Sequence, residues 1–432
     1  MTICNPGEII EEVKKQLAVH KSIGAITQEF QYELEYMLKN CKNSMLPFPS
    51  IDFRMWSECN TPMKLLAIDF GGSVIKFAVI SMPLCQLEFK DDMEIQTRIV
   101  DLKFFDVIVE WICTRLTQHF HADDFLDLKV AITFSFPLNS NNEIVAMGKG
   151  YKMSPEIEGI SILDILKQSF DRQSDRYQGN FTFEIKDVIN DSLAVHMSSK
   201  FLEKDDNDKI SLIVGTGVNS CFEVQFQDLP QFKQDIISQF TDKTPERVLI
   251  NSELGFLGAR SKAIEQSIFD TNIDTDMPLE SVTSGKWIPQ LLKNILAYYN
   301  LAPRNGIDKV DFSGKLVNDI LDPTKKDSLL ELWEIEELVI IKRITELLIN
   351  RGAIYLVAAL NAIRKFVNPE VYISKRSVDI DYVGSFLQKC SYYQERILLH
   401  SKNRMTLQFL ENSNLYGCAI MTYDSIITDD PK

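Results

Sequence analysis

Metal-hydrolase and redox signatures are missing from this 432-residue chain. Its five histidines never fall in an HExxH spacing, so a zinc-hydrolase helix has no support. The eight cysteines (Cys4, Cys41, Cys59, Cys85, Cys113, Cys221, Cys390, Cys418) are scattered and form no CxxC pair, the pattern of reduced thiols in a cytosolic protein. Basic charge is short as well: 46 Lys and Arg stand against 61 Asp and Glu, a net charge of −15. That balance excludes a general nucleic-acid binder or a protein of anionic membranes, both of which need a basic face. It leaves room for a local basic pocket. The N-terminus lacks a basic-then-apolar leader, and no uninterrupted apolar run approaches the ~20 residues that span a bilayer. The most apolar stretch, 335–366, is broken by Lys342, Arg343, Glu346 and Arg351. The expectation is a cytoplasmic protein with no membrane partner.

What is present is an ordinary globular mixture, 45% hydrophobic and 25% charged, long enough for two domains and a cleft. The first 40 or so residues read as helix, with Phe30, Leu34, Met37 and Leu38 on one 3.6-residue face. NSMLPFPS (43–50) interrupts it. Strand-like runs follow at 65–80, 95–101, 128–136 and 181–191, with a polar loop at 171–180. A further pair lies in ISLIVGTGVNSCFEV (210–224), after which the chain turns helical, with 329–366 the longest helix and VYIS (371–374) a short strand. Strands followed by helices, twice over, predict an α/β protein of two unequal lobes.

Two stretches carry chemistry. LLAIDFGGSVIKFAVI (65–80) and SLIVGTGVNSCFEV (211–224) each read as strand, glycine turn, strand. Such a turn points successive backbone N–H groups outward as a phosphate cradle. Asp69, just before the first turn, suits a magnesium ion held directly or through its waters. Neither turn fits GxxxxGK[ST] or GxGxxG, which disfavours a P-loop or Rossmann site. Each turn alone is a weak signal; the repetition, one per lobe, is the stronger one.

Around these turns the motifs TFSFP, GKGY (148–151), VINDS (188–192), INSELG (250–255) and LESVTSGKW (279–287) follow in an order that resembles the hexokinase/glucokinase family, in a divergent, fungal-type form. The resemblance runs from the MLPFP segment to the final GSFL and YGCAI segments. It implies the actin-like, ribonuclease H-like fold with a cleft between a small and a large lobe. Residues 1–60 would belong to the large lobe, 61–191 form the small lobe, 192–415 the rest of the large lobe, and 416–432 return to the small lobe. It implies that Ser135, Lys149, Asn190, Asp191, Asn219, Glu253 and Glu280 bind a hexose, glucose above all, and that Asp191 is the general base toward its 6-hydroxyl. Asp69 (magnesium), Gly71, Gly72, Ser73 and Lys76 would face ATP from one side, and Gly215, Thr216, Gly217, Gly285, Gly384 and Ser385 from the other. Residue chemistry agrees: Asn, Glu and Ser suit sugar hydroxyls that both donate and accept, and a carboxylate beside an attacking hydroxyl can take its proton.

The chain departs from the family's pattern in places. DLGGTN-F-R becomes Asp69-Phe70-Gly71-Gly72-Ser73-Val74-Ile75-Lys76, so an amide gives way to Val74 and an arginine to Lys76. The Thr before the sugar-binding Lys is Gly148, and the small Gly after Asp-Thr-Thr is Ala194. Asp-Gly-Ser becomes Val383-Gly384-Ser385. The late Asp-Gly-Ser-Gly-x-Gly run becomes Glu411-Asn412-Ser413-Asn414-Leu415-Tyr416-Gly417, where Tyr416 could fill space meant for adenosine. Two other readings therefore stand beside a hexokinase: a catalytically weak or inactive sugar-binding regulator on the same fold, and an actin-like ATPase without a sugar. Asp191 as a helix N-cap and Ser135 as a backbone partner before Pro137 are the plain structural alternatives.

Overall fold

The computed structural model describes residues 6–42, 44–53, 56, 61–120, 126–135, 138, 142–144, 151–176, 181–203, 209–241, 244–271, 273, 275–374 and 376–429. The chain opens with α1 (Pro6–Gln16), α2 (Ile23–Asn40) and β1 (Leu46–Pro49), then β2 (Met63–Phe70), β3 (Val74–Met82), β4 (Gln86–Glu94) and β5 (Ile99–Val100). It continues through α3 (Leu102–His119), β6 (Leu126–Phe134), β7 (Lys152–Met153), α4 (Ile162–Arg176), β8 (Phe181–Asn190) and α5 (Asp191–Glu203). Next come β9 (Ile210–Val214), β10 (Val218–Gln225), α6 (Gln231–Ile237), β11 (Arg247–Asn251), α7 (Pro278–Thr283), α8 (Trp287–Tyr298), α9 (Gly314–Leu321), α10 (Lys326–Leu329) and α11 (Ile335–Val367). The last elements are α12 (Pro369–Ile373), β12 (Val378–Val383), α13 (Ser385–Lys389), α14 (Ser391–His400), β13 (Met405–Phe409) and α15 (Ser413–Asp429).

These elements form two compact units, neither continuous in sequence: Met1–Ser50 with Asn207–Phe409, and Ile51–Asp206 with Leu410–Lys432. The division lies beyond α5 rather than before it, because α5 packs on α15. The second unit holds a sheet ordered β4-β3-β2-β6-β8, the first a sheet ordered β1-β11-β10-β9-β12-β13. In the second unit β2, β3 and β4 pair antiparallel while β6 and β8 run parallel beside β2. In the first, β9, β10 and β11 pair antiparallel while β12 and β13 run parallel beside β9. Leaving out the edge strand β1, both sheets have the same plan: first hairpin in the middle, third strand outside it, two parallel strands on the other flank. The repeated glycine turn is the first hairpin of each.

Composition explains the elements. In α2, Ile26, Phe30, Leu34, Met37 and Leu38 are buried against a core shared with α11, each large side chain worth about 1.5–3 kcal/mol. Ser22 starts that helix by accepting the N–H of Ala25. Helix α11 is long and apolar enough to cross a membrane by length and composition, yet 72% of its most apolar window is buried in the protein. The second unit's core lies between its sheet and α3 and α4, with Phe70, Phe77, Phe105, Ile132 and Phe170 all nearly solvent-free.

Three local expectations are corrected. The run 371–374 is helical, in α12 and the turn that caps it, because Asn368 accepts the N–H of Val371 and Pro369 opens the helix. Only Ile99–Val100 of 95–101 is strand. The polar segment 171–180 begins inside α4, whose last turns are tied to α3 by Arg172–Asp106 and Arg176–Glu110 pairs.

Candidate active site

In the second unit the site residues collect where β2, β6 and β8 end at their carboxyl termini. Asp69 is the penultimate residue of β2 and lies opposite Lys76 on β3 and Thr133 on β6. Thr133 donates its hydroxyl to Asp69 Oδ1 at 2.8 Å, and Asn414, from the start of α15, donates its amide to the same oxygen at 3.0 Å. No described side chain donates to Oδ2. Burial pushes the Asp69 carboxyl above its ordinary value, against the pull of Thr133, Lys76 and Asn414 and with a smaller push from Asp191. The two carboxylates therefore sense one another. A Cβ on Gly71 would come within 2.6 Å of the Val74 carbonyl, so this turn is too tight for any side chain there.

Asp191 is buried, 8% exposed, at the first position of α5. The helix-capping role falls to its neighbour: Asn190 Oδ1 accepts the backbone N–H of Ser192 at 2.9 Å and its hydroxyl at 2.7 Å. Asn190 thus leaves the Asp191 carboxylate out of the cap. Ser135 follows β6 directly and is half-buried. Lys149 and Gly148 lie outside the described residues.

In the first unit a second group forms around the turn Gly215–Thr216–Gly217. Gly285 N–H donates to the Gly215 carbonyl at 2.8 Å and Lys286 N–H to the Thr216 carbonyl at 3.2 Å. A Cβ on Gly285 would lie 2.7 Å from the Gly215 carbonyl, and one on Gly384, where φ is +110°, would lie 2.3 Å from that of Val214. These glycines let three backbones stack where a side chain would separate them. Ser385 opens α13 immediately beyond. Beside the turn, Asn219 donates to Asn251 at 3.0 Å and Asn251 donates to Glu253 at 2.8 Å. Glu253 takes φ of +49°, a strained state for a residue with a side chain and one concentrated at functional sites. Glu280 accepts the N–H of Val218 at 3.2 Å and the Trp287 indole at 3.4 Å.

Sequence reasoning missed four contributors. Thr133 and Asn251 lie inside the quoted TFSFP and INSELG runs, each two residues from the position singled out. Lys286 lies in SGKW: burial pulls its ammonium below the ordinary value while Glu280 works the other way, and it stands 4.1 Å over the Trp287 ring. Asn414, 345 residues from its partner, gave no signal. Tyr416 sits on α15 within the second unit, where the ionisable groups acting on it are Cys85 and Glu411, whereas Gly384, Ser385 and Gly285 belong to the first.

Two sheets of one plan, each with a glycine turn after its first strand and an Asn/Asp/Glu set at the strand ends, define a sugar kinase of the actin-like fold. Family models described as hexokinase match residues 9–201 and 209–423. The chain belongs to the hexokinase family. It is 22% identical over 468 residues to N-acetylglucosamine kinase 1 of Candida albicans, covering 92% of this chain and 90% of that protein. It is 24% identical over 374 residues to human Hexokinase-2, covering 77% of this chain but only 38% of that longer protein. Its fold is similar to that of a hexokinase from Schistosoma mansoni complexed with glucose, with a TM-score of 0.73 at 20% identity over 97% of this chain and 99% of that one.

Proposed function

We propose that this protein transfers the γ-phosphoryl group of ATP to the primary 6-hydroxyl of a hexose, glucose or a close analogue, with Asp191 as general base. The observation that carries the reading is the division of labour at the start of α5. Asn190 caps the helix, so Asp191, buried and adjacent to the strand ends, is left to accept a proton. The carboxylate would take it from the attacking hydroxyl as the bond to phosphorus forms, an effect of roughly 10²–10⁴-fold. In the first unit Asn219, Asn251, Glu253 and Glu280 are the candidates to bind the sugar; in the second, Ser135 and Asn190 are. Gly71, Gly72 and Ser73, with Lys76, are the second unit's candidates for phosphate oxygens; Gly215, Thr216, Gly217 and Lys286 are the first unit's, with Gly285, Gly384 and Ser385 for the nucleoside.

Asp69 suits magnesium. It is a buried carboxylate whose charge is costly where it lies, its described hydrogen bonds fall on one oxygen, and the other is left toward a cation. Bound there through water, magnesium would neutralise charge on the transferring phosphate. Among the described residues no cluster of three acidic, histidine or cysteine side chains surrounds it, which fits an ion held mainly by phosphates and water.

The similarity to an N-acetylglucosamine kinase over nine-tenths of both chains favours a second substrate reading, an N-acetylhexosamine. The test is phosphorylation of a panel containing glucose, mannose, fructose and N-acetylglucosamine, with Asp191→Ala in parallel. The expected result is turnover on at least one sugar that falls about 10²-fold or more in the variant. Sugar-dependent stabilisation without turnover on any of them would instead make this a sugar-binding regulator.

A further inference from the structure

The phosphate turn of the second unit is held from behind by two side chains that no motif includes. The carbonyl of Gly72 accepts two hydrogen bonds, one from Arg98 Nη1 at 3.0 Å and one from the Tyr151 hydroxyl at 3.2 Å. The next carbonyl, of Ser73, accepts the backbone N–H of Ile95 at 3.0 Å. The two donors are fastened to each other. The Arg98 guanidinium stands 4.8 Å over the Tyr151 ring, and the Lys152 N–H donates to the Arg98 carbonyl at 2.8 Å where β5 pairs with β7. Tyr151 is 5% exposed. Arg98 is exposed, and among the described residues no carboxylate pairs with it, so it is committed to the turn rather than to a surface ion pair.

Peptide planarity gives this arrangement a consequence. The carbonyl of Gly72 and the N–H of Ser73 belong to one rigid plane and point in opposite directions. Next to two glycines that plane is free to flip at little cost, and Val74 offers no polar side chain to hold it. We infer that Arg98 and Tyr151 are positioning residues that lock the Gly72–Ser73 peptide, fixing its N–H on the face away from them, toward the phosphate. A cation on the carbonyl also polarises the peptide and strengthens the opposite N–H as a donor. Burial raises the Tyr151 phenol above its ordinary value, which keeps it a donor across the working pH range. The inference rests on reading this turn as the phosphate cradle, but the lock itself is testable without turnover.

The experiment compares wild type with Arg98→Met, Arg98→Lys and Tyr151→Phe. Hydrogen exchange is followed in a peptide spanning 70–77 of the ligand-free protein, together with thermal denaturation and the KM for ATP. Exchange of the turn amides is expected to rise about tenfold in Arg98→Met and about threefold in Tyr151→Phe, with no acceleration in β6 or α3. Arg98→Lys, which keeps charge and a donor, should restore most of the protection. In turnover, KM for ATP should rise about fivefold in Arg98→Met with kcat within about twofold, and the sugar Kd unchanged. Unchanged turn exchange in both Arg98→Met and Tyr151→Phe overturns the lock, as does acceleration spread evenly over the unit with a lowered Tm. If exchange changes as expected while wild type phosphorylates no sugar, the lock stands and the kinase reading is what fails. If wild type turns over and the variants alter neither exchange nor KM, the reverse holds.

Discussion

Gly417 makes the sharpest stability test. It lies inside α15, where alanine normally gains about 1 kcal/mol over glycine. A Cβ at this position would stand 1.8 Å from the carbonyl oxygen of Ala194 on α5, and 2.3 and 2.6 Å from that residue's carbonyl carbon and Cα. Ordinary contact begins near 3.4 Å, so the two helices would have to separate locally by roughly 1.6 Å. Overpacking of this kind costs about 1–3 kcal/mol or more, enough to outweigh the helix gain. The displacement would reach Asp191, one turn before Ala194, and a 1 Å misplacement of a reacting group is worth about 10²-fold in rate. Gly417→Ala should therefore lower the urea midpoint and cut turnover about 10²-fold. Unfolding is followed by dichroism and by the fluorescence of Trp56, whose ring lies 5.5 Å from Phe201 on α5 and 4.9 Å from Tyr423 on α15. Because the obstruction is backbone, adding Ala194→Gly should not rescue the variant. A Gly417→Ala protein as stable as wild type, or more so, refutes the argument.

Other expectations follow from buried charge. Burial raises the Asp69 carboxyl above its ordinary value, so the folded state binds its proton more tightly than the unfolded chain. Its contribution to stability falls as pH rises through the window between the two values and stays lost above it. Asp69→Asn, which keeps both bonds to Oδ1, should raise Tm at pH 7 while abolishing magnesium-dependent turnover; a lowered Tm would contradict this. The Lys233 ammonium, fully buried and donating to the carbonyls of Lys42 and Ser44, is pushed down by burial from 10.5 to about 8. Between those values the unfolded chain binds more protons, so this group's contribution rises with pH from about 8 to about 10.5. Urea midpoints across that range should rise less in Lys233→Met. Lys286→Met should raise KM for ATP about tenfold with sugar affinity unchanged in calorimetry; a change in the sugar Kd alone would move Lys286 to the sugar.

The hairpins were legible because each couples a buried apolar run to a glycine turn, and a repeat at lobe-sized spacing reports a duplicated sheet. Helix α11 was legible from its length and periodicity. The short elements were not. VYIS has strand-like residues, but the Asn368-Pro369 pair before it is a helix start, and that local signal wins over side-chain preference. Which of two adjacent residues caps α5 was not legible in the sequence: the cap is Asn190, not Asp191. The altered C-terminal run looked like a worn nucleotide motif. It is the start of a helix that packs on α5 and supports Asp69, and nothing within the run itself points to partners so distant in sequence.

The discontinuity of the units has a consequence for biosynthesis. Asp69 and Asp191 leave the ribosome long before Asn414 and Gly417, which hold the first and seat the helix of the second. At roughly 5–20 residues per second, the wait is on the order of 10–45 s for Asp191 and about 17–70 s for Asp69. Through it the nascent chain carries its acidic pair on a sheet whose supporting helix has not yet been made, so the pair stays without that support until α15 has emerged.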